Sequence, residues 1–164
     1  MHRVRELSSP GSDFAGQGAD SQRRSAVQAS LLVYTDRLHR AQTSEQVLDA
    51  SLDVIEVALG CERASILQFD NEGVMRFVAW RDLSDDYRAA ADGHTPWTRG
   101  ERVASPIVVA DAEQADFDAE LSERLKAEGI RALAFIPLMS SEGVSGKFMM
   151  YFGEPHDFTS DEIE

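Results

Sequence analysis

Few side chains in this sequence have types and neighbours suited to chemistry, and most of them gather near its middle. His94, in the run Gly93-His94-Thr95-Pro96-Trp97, offers an imidazole that can donate or accept a hydrogen bond or bind haem iron as an axial ligand. The same ring can instead brace the turn at Pro96 and Trp97. Trp80 and Trp97 could stack on a flat ligand, and Tyr87 adds a third ring with a polar tip. Each of the three equally suits a core or lid position with its polar atom paired. Asp82, Asp85, Asp86, Asp92 and Asp111 are interspersed with these rings, either as binding groups or as a solvated rim. Met139, Met149 and Met150, beside Phe135 and Phe148, read as core filler. Cys61 is the single cysteine, so it has no internal partner for a disulfide, and thiol chemistry that resolves through one is excluded. No Gly-rich phosphate loop, His-x-x-x-His pair or Ser/His/Asp signature is present, and catalysis is not expected of this chain.

The elements that must position these residues are those of one domain with a tail, given 164 residues. Hydrophobic residues at 43% and charged residues at 27% describe a globular chain rather than a disordered one. The net charge of -13 lies outside the slightly basic first forty or so residues. An acidic domain repels phosphate backbones, so no nucleic-acid partner is expected. No apolar stretch approaches bilayer length and no apolar run follows the charged first residues. Membrane contact and a secretory leader are therefore not expected, and the cytoplasm is the default location.

Residues 1–22 are rich in Ser, Gly, Asp and Gln and read as a flexible tail. Residues 23–41 read as a separate helix. Val27, Leu31, Tyr34 and Leu38 recur there at heptad spacing, which suits either a homodimer seam or a stripe lying on the chain's own domain. Residues 42–164 form the main domain. Thr43 with Gln46 fits a capping box, followed by apolar residues at helical spacing up to Gly60. Ala64–Phe69 and Val74–Trp80 flank Asp70-Asn71-Glu72-Gly73, a hairpin signal. Ser84 can cap a short helix over 83–92, and a loop with Pro96 and Trp97 follows. A short strand over 106–110, a helix over 116–128, two further strands and a capped helix start at Thr159 complete an α+β order. Pro137 marks an edge or bulge in its strand. The closing helix is barely a turn long, which suggests that an output segment continues it.

Five segments in this order resemble a GAF domain, a small-molecule sensory module of signalling proteins. They are Ser44-Glu45-Gln46-Val47-Leu48, Cys61-Glu62-Arg63-Ala64-Ser65-Ile66, Glu128 through Leu138 with its Gly129-Ile130-Arg131 start and Pro137-Leu138 end, Gly146 with Met149-Met150-Tyr151-Phe152, and Pro155 through Ile163. Leu83 through Arg88 and Gly93 through Trp97 resemble a subgroup found in multidomain bacterial sensor histidine kinases.

The resemblance implies a mostly antiparallel sheet of five or six strands in the order 2-1-5-4-3. The terminal helices would pack on one face, and a ligand pocket would lie under loops and helices on the other. It places that pocket around Trp80, 83–97, 106–111 and 135–138, with Trp80, Tyr87, His94, Trp97, Asp111, Phe135 and Pro137 as expected ligand contacts. The implied function is a regulatory sensor in which an unidentified small molecule orders residues 83–100 and signals through the terminal helices to an output such as a histidine kinase. Two alternatives stay open: a ligand-free homodimerisation and relay module, and a haem or chromophore sensor. Cys61 sits in the wrong place for a covalently held bilin, and Phe158 through Glu162 lacks the spacing of cyclic-nucleotide GAF domains. The cofactor, if any, is unknown from sequence.

Overall fold

The computed structural model describes residues 12–163, with side chains for Gln22 and for residues 24–163. Ten elements follow one another: α1 (Ser12–Arg40), α2 (Ser44–Leu59), β1 (Arg63–Phe69), β2 (Met75–Arg81), α3 (Asp85–Ala91), β3 (Ile107–Val109), α4 (Ala119–Glu128), β4 (Ala132–Ser140), β5 (Gly143–Phe152) and α5 (Ser160–Ile163). All strand pairs are antiparallel, and the order across the five-stranded sheet is β2-β1-β5-β4-β3. That is the arrangement the sequence resemblance implied.

Local chemistry sets most boundaries where the sequence placed them. Thr43 Oγ1 accepts from Gln46 N at 3.3 Å and starts α2, while Gly60, at φ 66°, ends it in the left-handed conformation. The return arm of this box differs from expectation: Gln46 Oε1 accepts from Gln42 N, not from Thr43 N. Ser84 Oγ and Asp118 Oδ1 accept from the backbone N–H groups of Tyr87 and Leu121 and cap α3 and α4. At α5 the Glu162 carboxylate accepts from both Thr159 N and Thr159 Oγ1. Pro137 is tolerated because β3 pairs with β4 only from Leu133 to Phe135. Beyond Phe135, the edge of β4 facing away from β5 needs no N–H donor.

Helix α1 begins at Ser12, so residues 12–22 are helical rather than a tail; residues 1–11 lie outside the described part. Once the turns near Tyr34 are docked, the nucleation cost is already met and the helix can propagate toward its start, although Gly16 and Gly18 each cost about 1 kcal/mol relative to Ala. The stripe that docks includes Tyr34 and Leu38 of the heptad seam, and Leu31 is the seam residue left exposed. Tyr34 Oη and Ser51 Oγ are hydrogen-bonded at 3.1 Å, and Arg37 pairs with Asp49 and Asp53 of α2. Tyr34 and Leu38 are half-buried against the chain's own domain, whereas Leu31 and Leu32 are exposed.

The sheet separates two cores. On one face, Leu52 of α2 packs with Ile66, Ala132, Met150 and Phe152, and Ile163 of α5 joins them. Leu67, Leu133, Met149 and Tyr151 face the other way, toward Tyr87 of α3 and Leu125 of α4. The terminal helices therefore share one face, and α3 and α4 cover the other.

An ion cluster joins α1, α2 and β2. Arg81 donates to Asp49 and Asp53, the same carboxylates that receive Arg37. Burial works against ionised Asp53, but its bonds to Arg37 and Arg81 prevail and hold its pKa below the usual carboxylate value. A lowered folded pKa contributes stability above the unfolded value, lost as pH falls through the folded one. Docking of α1 is therefore expected to weaken first below about pH 4, and Asp53→Asn should weaken it at neutral pH. Amide hydrogen exchange along α1 checks both: protection should drop there before it drops in β5.

Candidate functional site

Between the sheet and the α3–α4 layer lies a cavity of about 210 Å³. Its floor is Leu67 of β1, Phe77 of β2, Leu133 and Phe135 of β4, and Lys147 and Met149 of β5. Tyr87, Ala90 and Ala91 of α3 and Leu121, Arg124 and Leu125 of α4 form the roof, with His94 and Phe117 at the sides. The strand residues reach the cavity by register. Lys147, Met149 and Tyr151 alternate on β5, opposite Pro137, Phe135 and Leu133 of β4.

The roof is cross-tied. Ser84 N, at the start of α3, donates to Glu128 Oε1 at 2.7 Å, at the end of α4. Arg124 Nη1 of α4 donates to the Ala90 carbonyl at 3.2 Å. Residues 93–101 are pinned to the sheet: Gly93 N donates to Met75 O at 2.8 Å, Arg99 Nη1 to Asp70 O at 3.0 Å, and Gly100 N to Val144 O at 2.9 Å.

Of the residues singled out from sequence, Tyr87, His94 and Phe135 are brought together on the cavity. Tyr87 meets Tyr151 edge-on with centroids 5.9 Å apart, and burial pushes its phenol up to about 12. The Nδ1 of His94 lies 3.2 Å from the Asp92 carbonyl, a bracing contact. Trp80, Trp97, Asp111 and Pro137 do not line the cavity. A bulge opposite Ile66 and Leu67 makes Phe77 and Ala79 pack on opposite faces of the sheet. Trp80 consequently lies outside α3, with the Arg88 guanidinium 3.9 Å over its ring. Trp97 is buried beyond the cavity lining. Asp111 accepts from Arg131 Nη2 at 3.0 Å and from the backbone of Glu113, closing the turn after β3. Pro137 shares the register position of Lys147 but lies past the roof.

Lys147 is the residue that sequence reasoning missed. It is 3% exposed. Its Nζ donates to the His94 carbonyl at 2.8 Å and lies 5.1 Å from the Phe135 ring centroid. Burial pushes its pKa down to about 8. The available signal was its phase: it stands two residues before Met149 and four before Tyr151 in an apolar strand. Met149 belongs to the core on this face and also lines the cavity, Met150 fills the opposite core, and Met139 is exposed.

Cys61 belongs to the opposite core, and burial pushes its thiol up to about 12. Thiol reagents are expected to leave it unmodified in the folded protein and to label it only after unfolding. Stoichiometric labelling in native buffer would contradict that placement.

The cavity also bears on prosthetic groups. Pockets for drug-sized ligands run to roughly 300–1,000 Å³, and this hollow lies below that range. With Cys61 across the sheet, the described residues offer no cavity thiol for a bilin.

A family profile described as the GAF domain matches residues 41–164. A domain from a Sinorhizobium meliloti 1021 protein, described as a candidate two-component sensor histidine kinase, is 47% identical; the match covers 75% of this chain and 83% of that one, with a TM-score of 0.69. More distant structures share the fold. The blue-light absorbing PixJ GAF domain of Thermosynechococcus elongatus is 18% identical over 73% of this chain and 75% of that one, with a TM-score of 0.59. The GAF domain of an Acinetobacter phosphoenolpyruvate-protein phosphotransferase is 14% identical over 83% and 82%, with a TM-score of 0.58. No curated protein matches the chain. No helix among the described residues is long and apolar enough to cross a membrane. The profile match, the strand order and the position of the cavity agree: this chain belongs to the GAF domain family.

Proposed function

We propose that this GAF domain is a non-catalytic regulatory sensor of a cytoplasmic signal-transduction protein. A small molecule enters the cavity under α3 and α4, and the signal leaves through the terminal helices to an output such as a histidine kinase. The observation that carries this reading is the apolar hollow with few polar groups aimed at it, the form small-molecule sites take. The similarity to a domain of a candidate sensor histidine kinase supports the setting. Lys147 touches both the cavity and residues 93–101 through His94. A ligand on the floor can therefore bias the pinned segment and, through β2 and Arg81, the ion cluster that docks α1. Such a ligand must bind the two signalling states differently; a tenfold difference corresponds to about 1.4 kcal/mol.

Thermal shift against a metabolite collection tests this. At least one small apolar compound should raise the melting temperature, and Leu121→Trp, which fills the cavity, should abolish the rise. Absence of any hit would count against the reading, as would hits that Leu121→Trp leaves unchanged.

A second reading, homodimerisation through α1, is favoured by the exposure of Leu31 and Leu32. It is compatible with the first, since closed homodimers are the commonest assemblies. Light scattering should give a dimer for the whole chain and a monomer for a fragment starting at Gln42; a monomer in both cases would remove it.

A further inference from the structure

The cavity floor carries a positive charge that no carboxylate among the described residues answers. Among the described residues the ammonium of Lys147 has one hydrogen-bond partner, the His94 carbonyl, and three N–H donors to place. Its pKa is lowered by burial alone, with no carboxylate acting on it. The acids at the cavity are engaged elsewhere. Asp118 caps α4 by accepting from Leu121 N, and Glu120 pairs with Arg124. A buried cation is costly until an anion joins it, and the space beside this one is hollow rather than packed.

We propose that the cavity binds a small monocarboxylate with an apolar body, its carboxylate on Lys147 Nζ and its body between the floor at Phe77 and Phe135 and the roof at Leu121. This rests on the sensory reading of the same cavity. One unpaired cation calls for one negative charge. A phosphate or dicarboxylate would bring a second, uncompensated charge into an apolar hollow of an acidic domain. Size narrows the class further. A cavity of about 150 Å³ holds benzene, so about 210 Å³ suits roughly seven to ten non-hydrogen atoms. Aromatic acids with one ring and short branched-chain acids meet both conditions. The amine has two donors left after bonding to His94, so the ligand adds to the contact between Lys147 and residues 93–101 without displacing it.

Calorimetric titration with benzoate, phenylacetate and isovalerate, each beside its neutral amide, and with toluene, tests the assignment. At least one acid should bind the wild-type domain at least tenfold more tightly than its amide, and Lys147→Met should abolish that preference. A second readout uses wild-type protein alone. The Lys147 amine, followed by its 13Cε resonance, should titrate at higher pH when that acid is saturating, because an adjacent anion favours the charged form. The other titratable groups facing the cavity are Tyr87, His94, Asp118, Glu120 and Arg124, and subtracting the ligand-free titration removes their contribution. Amides or toluene binding as well as the acids, or an acid preference that survives in Lys147→Met, would overturn the carboxylate assignment while leaving the cavity as a ligand site. If no acid, amide or toluene binds, the sensory reading fails with it.

Discussion

Gly146→Ala is expected to destabilise the domain by about 3 kcal/mol, at the upper end of what overpacking a tight interior costs. A β-carbon at Gly146 would lie 2.3 Å from the Leu67 carbonyl oxygen and 3.3 Å from Gln68 Cα, both main-chain atoms of β1. Flexible side chains could swing aside; a strand held on both sides cannot. β1 pairs with β2 and β5 together, so relief requires spreading the β1–β5 ladder at the point where Lys147 enters the cavity. Gly60→Ala makes a useful contrast. Nothing lies within 4 Å of its β-carbon position, but φ is +66°, so only the left-handed strain of about 1–2 kcal/mol applies. Urea unfolding of the two variants should show the larger loss at Gly146. Equal losses would mean that the β1–β5 contact is slacker than described.

Lys147→Met should stabilise the domain at neutral pH and destabilise it in alkali. The lysine's ordinary pKa of 10.5 falls to about 8 in the folded state, which corresponds to about 3 kcal/mol against the folded form while the amine is charged in both states. That penalty is complete below pH 8. Between about 8 and 10.5 the unfolded chain binds a proton that the folded one lacks, so stability rises with pH. Above 10.5 the penalty is gone. Methionine removes the charge but leaves the His94 carbonyl without its donor, a loss of about 1 kcal/mol. The variant should therefore be about 2 kcal/mol more stable at pH 7 and slightly less stable near pH 10.5. The difference between the two proteins, measured by urea unfolding across this range, isolates Lys147 from the tyrosines, since burial raises both Tyr87 and Tyr151. A difference that does not change with pH would contradict the buried charge.

How much of this was legible in the sequence depended on the range of the interaction that decides it. Helix ends were legible because Thr43, Ser84, Gly60 and Gly129 act on backbone groups within a turn of themselves. The hairpin at Asp70–Gly73 follows the same logic, with Asp70 Oδ1 accepting from Glu72 N and Val74 N. Sheet order came from the family resemblance and not from any spacing. The cavity lining was only half legible. Tyr87, His94 and Phe135 sit where regular alternation or a capped helix puts them, whereas Trp80 depends on a bulge whose position is set by the partner strand. Lys147 was passed over because a lone lysine in a strand ordinarily faces solvent. In β5 both faces are apolar, so its phase alone did not say which layer it entered. The start of α1 at Ser12 was missed because propagation from a docked segment leaves no composition signal.

The sheet itself supplies the most direct test. Met149 lines the cavity and Met150 packs on the opposite face, so adjacent methyl groups report the two sides separately. In spectra of protein with 13C-labelled methionine methyls, phenylacetate or toluene should shift the Met149 resonance and leave Met150 nearly in place. Movement of Met150 without Met149, or of neither at saturating concentrations of both compounds, would contradict a ligand cavity between the sheet and the α3–α4 roof.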